Sequence, residues 1–366
     1  MPTLSIKCPN CGGGLQFDPD SQKSKCEYCL SEFTPEDLAA YEQAQAEKKA
    51  AGETGQPGQS EQSDQSEQSD QSDQSDRQLV TYICNSCGAE VVTEATTSAT
   101  FCYYCHNPVL LTERLTGAFK PDKIIPFALD KEKAIQTFLK WAKKRRFVPP
   151  GFYSASQLEK ITGLYIPYWM ADFRADVDYA GKGVNLRVWY AGNMEYTEHK
   201  EFTIQRQGSI DIDHVHEVAI RKIDKALIDS ITPYDEMQAV DFSMPYLSGF
   251  FAEKYDIQKE EAKLVIEEKT RRYANMLMQE SIGTYNKVTM ERSNMNLAVK
   301  DWHYTLLPTW ILTYQYRGKT YVYAVNGQNG KTNGELPVDK RKLSLASGVI
   351  AACLFVLALL GGLWIW

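Results

Sequence analysis

Eight of the chain's nine cysteines fall into two sets with one spacing. Cys8-Pro-Asn-Cys11 is followed after 14 residues by Cys26-Glu-Tyr-Cys29, and Cys84-Asn-Ser-Cys87 after 14 residues by Cys102-Tyr-Tyr-Cys105. A C-x2-C-x14-C-x2-C pattern written twice constrains the fold more than any other feature, because it calls for a metal. Two thiolates separated by two residues sit on one tight knuckle and take two corners of a tetrahedron. A second knuckle, brought alongside by a β-hairpin, supplies the other two at a Zn–S distance of about 2.3 Å. Gly12 and Gly88 directly follow the second cysteine of each first knuckle, where positive φ turns backbone N–H groups toward the sulfurs. The expected ligands are Cys8, Cys11, Cys26 and Cys29 for one Zn2+, and Cys84, Cys87, Cys102 and Cys105 for a second.

Other uses of these cysteines fit less well. Disulfides need an oxidising compartment, and the N-terminus MPTLSIKCPN reads as having no signal peptide. A thioredoxin-like C-x2-C needs a βαβ setting, and none surrounds either pair. Rubredoxin-type iron uses similar knuckles and stays open as a metal. His106 follows Cys105 and reads as a bystander, because four cysteines already fill the site.

The segments Ile6–Phe33 and Tyr82–Leu110 resemble the zinc-ribbon family, the TFIIB-type ribbon in particular. The resemblance covers about a sixth of the chain. It implies metal ligation and nothing finer, since ribbons serve in transcription factors, helicases, polymerases and plain protein-binding modules.

Charge separates these uses. Residues 1–38 carry three bases against six acids, and residues 79–115 carry one base, Arg114, against three acids. Each zinc held by four thiolates adds two further negative charges. Phosphate binding depends on Lys and Arg displacing counterions, so protein-facing ribbons are expected over nucleic-acid-binding ones. Most of the net charge of −7 lies in one stretch, 41–78, with nine acids against three bases. From Gly55 to Asp76 it reads GQPGQSEQSDQSEQSDQSDQSD, with nothing apolar to offset the entropy of ordering. A disordered acidic linker is expected over 51–78. It follows a helix at 35–50, capped by Thr34 with Pro35 at its first position.

Leu343–Trp366 has no charged side chain across 24 residues. As a helix it measures about 36 Å, enough to cross a hydrocarbon core of ~30 Å. Lys340, Arg341 and Lys342 stand before it, and Trp364 and Trp366 at its far end. The positive-inside rule places the bulk of the chain in the cytoplasm, attached to the cell membrane by a single pass. Cys353, the ninth cysteine, lies mid-span and can join neither metal set.

Between these landmarks, 115–339 reads as an α+β domain. Asp130–Phe147 has helical periodicity with Asp130 as N-cap. Its last turn is basic (Lys140, Lys143, Lys144, Arg145, Arg146), which fits a helix dipole, anionic lipid or nucleic acid. A second helix spans Lys259–Glu280. Each helix precedes a similar phrase, Tyr165-Ile-Pro-Tyr-Trp169 and Leu306-Leu-Pro-Thr-Trp310, entering strands at Met170–Ala180 and Ile311–Tyr316. Two related halves are expected, about 116–240 and 241–339. A hairpin over Thr320–Val338 turns at Asn326–Gly330. Catalytic signals are few. His214-Val-His216, flanked by Asp211, Asp213 and Glu217, reads as a metal pair or, more simply, a solvated strand. No H-E-x-x-H, P-loop, G-x-G-x-x-G or G-x-S-x-G motif occurs.

The expected architecture is multi-domain: zinc ribbon 1 (1–34), helix (35–50), linker (51–78), zinc ribbon 2 (79–114), α+β domain (115–339) and transmembrane helix (343–366). This arrangement resembles the bacterial membrane-anchored, YdjG-like zinc-ribbon proteins, on the paired cysteine modules, linker, YIPYW segment and terminal span. The resemblance implies a place beside a phage-shock-type envelope-stress system, with a peripheral coiled-coil effector and another membrane subunit as partners. The expected function is a non-enzymatic adaptor whose acidic ribbons, swinging on the linker, recruit a protein to the membrane. The alternative is a membrane-tethered nucleic-acid-binding factor in transcription or replication.

Overall fold

The computed structural model describes residues 3–41, 44, 79–85, 87–102, 104–145, 147–149, 158 and 160–365. The linker expected at 51–78 and most of the second half of the 35–50 helix lie outside them. The N-terminal unit holds β1 (Thr3–Leu4), β2 (Leu15–Asp18), β3 (Lys23–Cys26), β4 (Glu32–Phe33) and α1 (35–41). The second unit holds β5 (Leu79–Ile83), β6 (Glu90–Glu94), β7 (Thr97–Phe101) and β8 (Pro108–Leu111). The first half of the large domain holds β9 (Lys123–Ile124), α2 (Lys131–Lys143), β10 (Thr162–Ala191), β11 (Met194–Val218) and α3 (Lys225–Ser230). Its second half holds β12 (Val240–Asp241), β13 (Phe251–Glu253), α4 (Lys259–Ile282), β14 (Lys287–Tyr316), β15 (Lys319–Asn326) and β16 (Thr332–Gly334). The chain continues into α5 (Lys340–Ile365).

Local chemistry places the helices. Thr34 and Asp37 cap α1 reciprocally, each backbone N–H donating to the other's side chain. Asp130 accepts from the Lys133 N–H at 2.6 Å and starts α2. α2 ends at Lys143, short of the expected Phe147, because Pro149 disfavours helix at Val148. Its buried stripe, Ala134, Phe138 and Ala142, recurs every fourth residue. α4 buries Ala262, Ile266, Thr270, Ala274, Met278 and Ile282 in the same way, and Gly283 at φ 85° closes it.

An eleven-stranded mixed sheet runs β1-β8-β7-β13-β10-β14-β15-β16, with β11 added to β10 and β9 joining β14 to β12. The two Pro-x-Trp phrases face each other at its centre. Ile166 pairs with Leu307, and around this pair each phrase's residues are matched by the other's: Tyr165 with Pro308, Pro167 with Leu306. β13 runs parallel to β10 at Leu164 and Tyr165, and β9 parallel to β14 at the corresponding Thr305 and Leu306. Ala219 N–H donates to Pro167 O at 2.9 Å, and Gly327 N–H to Pro308 O at 2.9 Å. Trp169 donates its indole N–H to Ile257 O at 2.8 Å, and Trp310 donates to Leu129 O at 3.0 Å, each acceptor two residues before its helix. The prolines are tolerated inside central strands because each lies where the strand changes neighbour. β13 leaves β10 at Tyr165 and β11 joins at Tyr168; β9 leaves β14 at Leu306 and β15 joins at Thr309.

Two expectations change. The strands run far past their expected ends: β10 and β14 have 30 residues each, about 100 Å of extended chain. With β11 they leave the body as a three-stranded arm. α4 covers part of one face, through Tyr179, Ile204, Met278 and Ile282. Toward the tip, Leu186, Val188, Trp189, Tyr190, Met194 and Tyr196 are exposed.

The ribbons are also docked rather than swinging. Leu15, Phe17, Cys26 and Leu38 of the first, and Ala99 and Leu110 of the second, belong to the main core together with Phe127, Tyr165 and Phe250. Phe17 N–H donates to Ser248 O at 2.9 Å and Ser248 Oγ to Leu15 O. β7 pairs with β13 and β1 with β8, so the two cysteine modules touch each other and share the large sheet.

α5 starts at Lys340, three residues before the uncharged run, with Asp339 Oδ1 accepting from Arg341 N–H at 3.0 Å. Over Lys340–Ala358 it is long and apolar enough to cross a membrane, and none of that window is buried.

Candidate metal centres

Four knuckles repeat one backbone geometry. The N–H of Gly12, Leu30, Gly88 and His106 each donates to the carbonyl of the first cysteine of its knuckle, Cys8, Cys26, Cys84 and Cys102, at 2.8–3.0 Å. The N–H of each first cysteine donates onward to Gly13, Ser31, Ala89 and Asn107. All four closing residues have positive φ: 76° at Gly12, 60° at Leu30, 76° at Gly88 and 57° at His106. Glycine takes that conformation freely in the first knuckles, while Leu30 and His106 are held in it by the turn. His106 therefore serves the fold of its knuckle and lies outside the group of four sulfurs. The turn also aims N–H groups at sulfur: those of Gly13, Ser31, Ala89 and Asn107 meet Cys11, Cys29, Cys87 and Cys105.

The eight predicted cysteines come together in two groups of four, as expected, with all sulfurs of a group within 4.8 Å of one another. In the first, Cys8 and Cys29 are 3.5 Å apart and Cys11 and Cys26 3.4 Å. In the second, Cys84 and Cys105 are 3.8 Å apart and Cys87 and Cys102 3.7 Å. A tetrahedral metal with bonds of about 2.3 Å requires an S···S edge of about 3.8 Å. Each group fits one ion. Cys353 lies far along α5 and belongs to neither.

The thiols of each group already compete for protons. Ser31, through its hydroxyl at 3.3 Å and its N–H, draws Cys29 down to about 6. Against the pull of the Gly13 N–H, the Cys26 and Cys29 thiols push Cys11 up to about 12. In spite of its burial, Cys102 is drawn down to about 7 by the N–H groups of Cys105 and Tyr104. Burial and the neighbouring thiols push Cys105 up to about 12, against the Asn107 N–H. A cluster that releases one proton easily and holds the next tightly is resolved by a divalent cation in place of the protons.

Three of the four cations in the two modules are already engaged. Lys25 pairs with Asp18 at 2.6 Å and Glu32 at 3.4 Å, and Lys23 with Glu32 at 3.8 Å. Arg114 is buried and donates to Glu94 O and Thr97 O, both at 2.8 Å.

The histidine pair lies partly exposed on β11, beside a carboxylate that the expectation did not name. His214 sits at φ 60° in a bulge opposite Asp172, whose Oδ1 accepts its N–H at 2.7 Å. His214 Nδ1 and His216 Nδ1 approach the two oxygens of Glu236 at 3.3 and 3.4 Å. Of the three acids expected beside them, Asp211 and Asp213 turn to Lys300, and Glu217 to Lys225 and Lys269. Glu236 lies 20 residues downstream of His216 on a separate turn, and no spacing signal in the sequence links it to them.

A protein of Bacillus subtilis, the uncharacterized protein YdjG, is 32% identical over 369 aligned residues, spanning 98% of this chain and 99% of that protein. The chain belongs to the YdjG family. The likeness to YdjG runs through both cysteine modules, the large sheet domain and the terminal helix, because it covers nearly the whole of each chain. No protein-family model matches the chain, and no solved structure matches it.

Proposed function

We propose that this chain is a non-enzymatic adaptor, fixed to the cell membrane by α5, which recruits a protein partner to that surface. In this reading both cysteine groups are TFIIB-type zinc ribbons, each with one Zn2+ held by four thiolates. The basic residues in the first turn of α5 keep the ribbons, the sheet domain and the arm in the cytoplasm, where thiols stay reduced and available to metal. The partner is the class the family resemblance implies, a peripheral coiled-coil effector of a phage-shock-type envelope-stress system acting with a second membrane subunit.

The observation that carries the reading is the arm. Its tip exposes Trp189 stacked on Tyr196 at 5.7 Å, with Tyr190 71% and Met194 61% exposed. Trp189 and Tyr196 share one face of the arm and Tyr190 lies on the other, and we read this exposed aromatic surface as a protein-interaction site. The ribbons contribute position rather than motion. Their exposed Tyr28, Leu30 and Tyr104 stand on knuckles fixed to the core.

Nucleic-acid binding is the weaker reading, because Lys23 and Lys25 are spent on their own carboxylates and Arg114 on backbone carbonyls, which leaves Lys7 against six acids in residues 1–38. The matched hydrogen bonds around Ile166 and Leu307 support a duplication as the origin of the two halves.

The test is co-purification of the effector with the membrane-embedded full chain. Trp189→Ser with Tyr190→Ser should abolish it while zinc content and membrane attachment stay unchanged. Undiminished capture would remove the arm from the account. Deletion of residues 1–110 is unsuitable, since it strips Leu15, Phe17, Ala99 and Leu110 from the main core.

A further inference from the structure

The segment that follows α2 meets the start of α5. Asp339 N–H donates to Phe147 O at 2.7 Å, and Lys342 Nζ to Val148 O at 3.0 Å. These contacts bring the basic end of α2 against the basic start of α5. Beside this contact, between the end of α2 and the segment 334–338 that leads into α5, lies a groove of about 470 Å³. Trp141, Phe147, Leu336 and Val338 form its apolar walls, and Lys144 and Arg145 supply its charge, with no carboxylate among its lining residues. The Arg145 guanidinium sits 5.8 Å from the Trp141 ring.

Helix stability explains only half of this charge. Cations in the last turn of α2 suit its dipole, but Lys340, Arg341 and Lys342 occupy the first turn of α5, where the dipole disfavours them. Among the described residues, Lys140, Lys143, Lys144, Lys340 and Arg341 have no carboxylate partner. An external anion is what the arrangement lacks.

We infer that this groove binds the headgroup of an anionic phospholipid of the leaflet that α5 enters. The phosphate meets Lys144 and Arg145. The glycerol and the upper acyl chains lie against Trp141, Phe147 and Val338, at the interfacial depth that tryptophan favours. The bound lipid fixes how the body sits on the membrane, and so where the arm is presented. This inference rests on the reading of α5 as a membrane span.

The full chain is reconstituted in phosphatidylcholine vesicles containing a minority of phosphatidylglycerol. It is then extracted in mild detergent, and the lipid retained per protein is measured. The chain should retain phosphatidylglycerol in preference to phosphatidylcholine. Lys144→Gln with Arg145→Gln should cut that retention roughly 30-fold for two lost cations. Lys182→Gln with Lys200→Gln, on the arm, should leave it unchanged. Zinc content of each variant reports that it is folded. Equal retention of the two lipids, or full retention by the Lys144/Arg145 variant, would overturn the proposal. So would displacement by excess inorganic phosphate, which would make free phosphate the ligand. A chain that fails to pellet with the vesicles at all would instead contradict the membrane span.

Discussion

Ile166 and Leu307 stand directly opposite each other at the centre of the large sheet, and each is the second residue of its Pro-x-Trp phrase. Around that pair the parallel neighbour, the hairpin return and the tryptophan hydrogen bond recur on both sides with the same partners. These matched contacts fit the proposed reading of the domain as two copies of one unit, each closing the other's sheet.

If the units are equivalent, their tryptophans do equal work. Trp169→Phe and Trp310→Phe each keep the aromatic packing and leave a carbonyl, Ile257 O or Leu129 O, without its donor. Each should cost about 1–3 kcal/mol in chemical denaturation, and the two costs should be similar. A large loss from one and none from the other would contradict the equivalence.

The corresponding positions Ala219 and Gly327 differ in the room they have. A Cβ at Gly327 would meet Phe127 Cδ1 at 2.6 Å and Pro308 Cβ at 2.9 Å. Gly327→Ala should therefore destabilise by about 1–3 kcal/mol through overpacking. Unchanged stability would show that the Phe127 ring moves aside freely.

Glu217 is 7% exposed and bridges Lys225 and Lys269, both at 2.7 Å. Burial raises its carboxyl, but the two ammonium groups outweigh that and hold it below the ordinary 4.5. A carboxylate depressed in the folded state adds stability above its unfolded pKa, and that stability is lost as pH falls through the lower folded value. Glu217→Gln should cost about 1–2 kcal/mol at neutral pH, since Lys269 loses its carboxylate while Lys225 keeps Asp229 at 3.0 Å. The deficit should shrink as pH falls from the ordinary carboxylate range through the depressed folded value. A deficit that stays constant down to pH 3 would rule out the ionic origin.

Metal loss at the first site should reach beyond its own ribbon. Cys8 and Cys26 are part of the main core, and Phe17 N–H is held by Ser248 O. Cys26→Ser should strip hydrogen-exchange protection from the Phe17 amide. A Phe17 amide that stays protected would mean that the ribbon docks without its metal.

Features set by local spacing were legible in the sequence. The eight cysteines, the Asp130 and Thr34 caps, the stripe of α2, the paired Trp phrases and the apolar terminal run all announce themselves within a few residues. What escaped depends on distant partners. Stretches such as Met194–Thr203 carry no buried alternation, because the outer arm has no core to face, so β10 reads as ending near Ala180 and β14 as beginning only near Ile311. The docking of Phe17 on Ser248 and the approach of Glu236 to His214 and His216 join segments with no shared periodicity. Acidic composition suggested free ribbons, and only the shared core fixes them.

The central claim is that two sets of four thiolates each hold one zinc ion as part of the folded body. Elemental analysis of the purified full chain tests it most directly. The account predicts two zinc ions per chain, falling to one in Cys26→Ser. Fewer than one zinc per chain in the wild type, or iron in place of zinc, would contradict it.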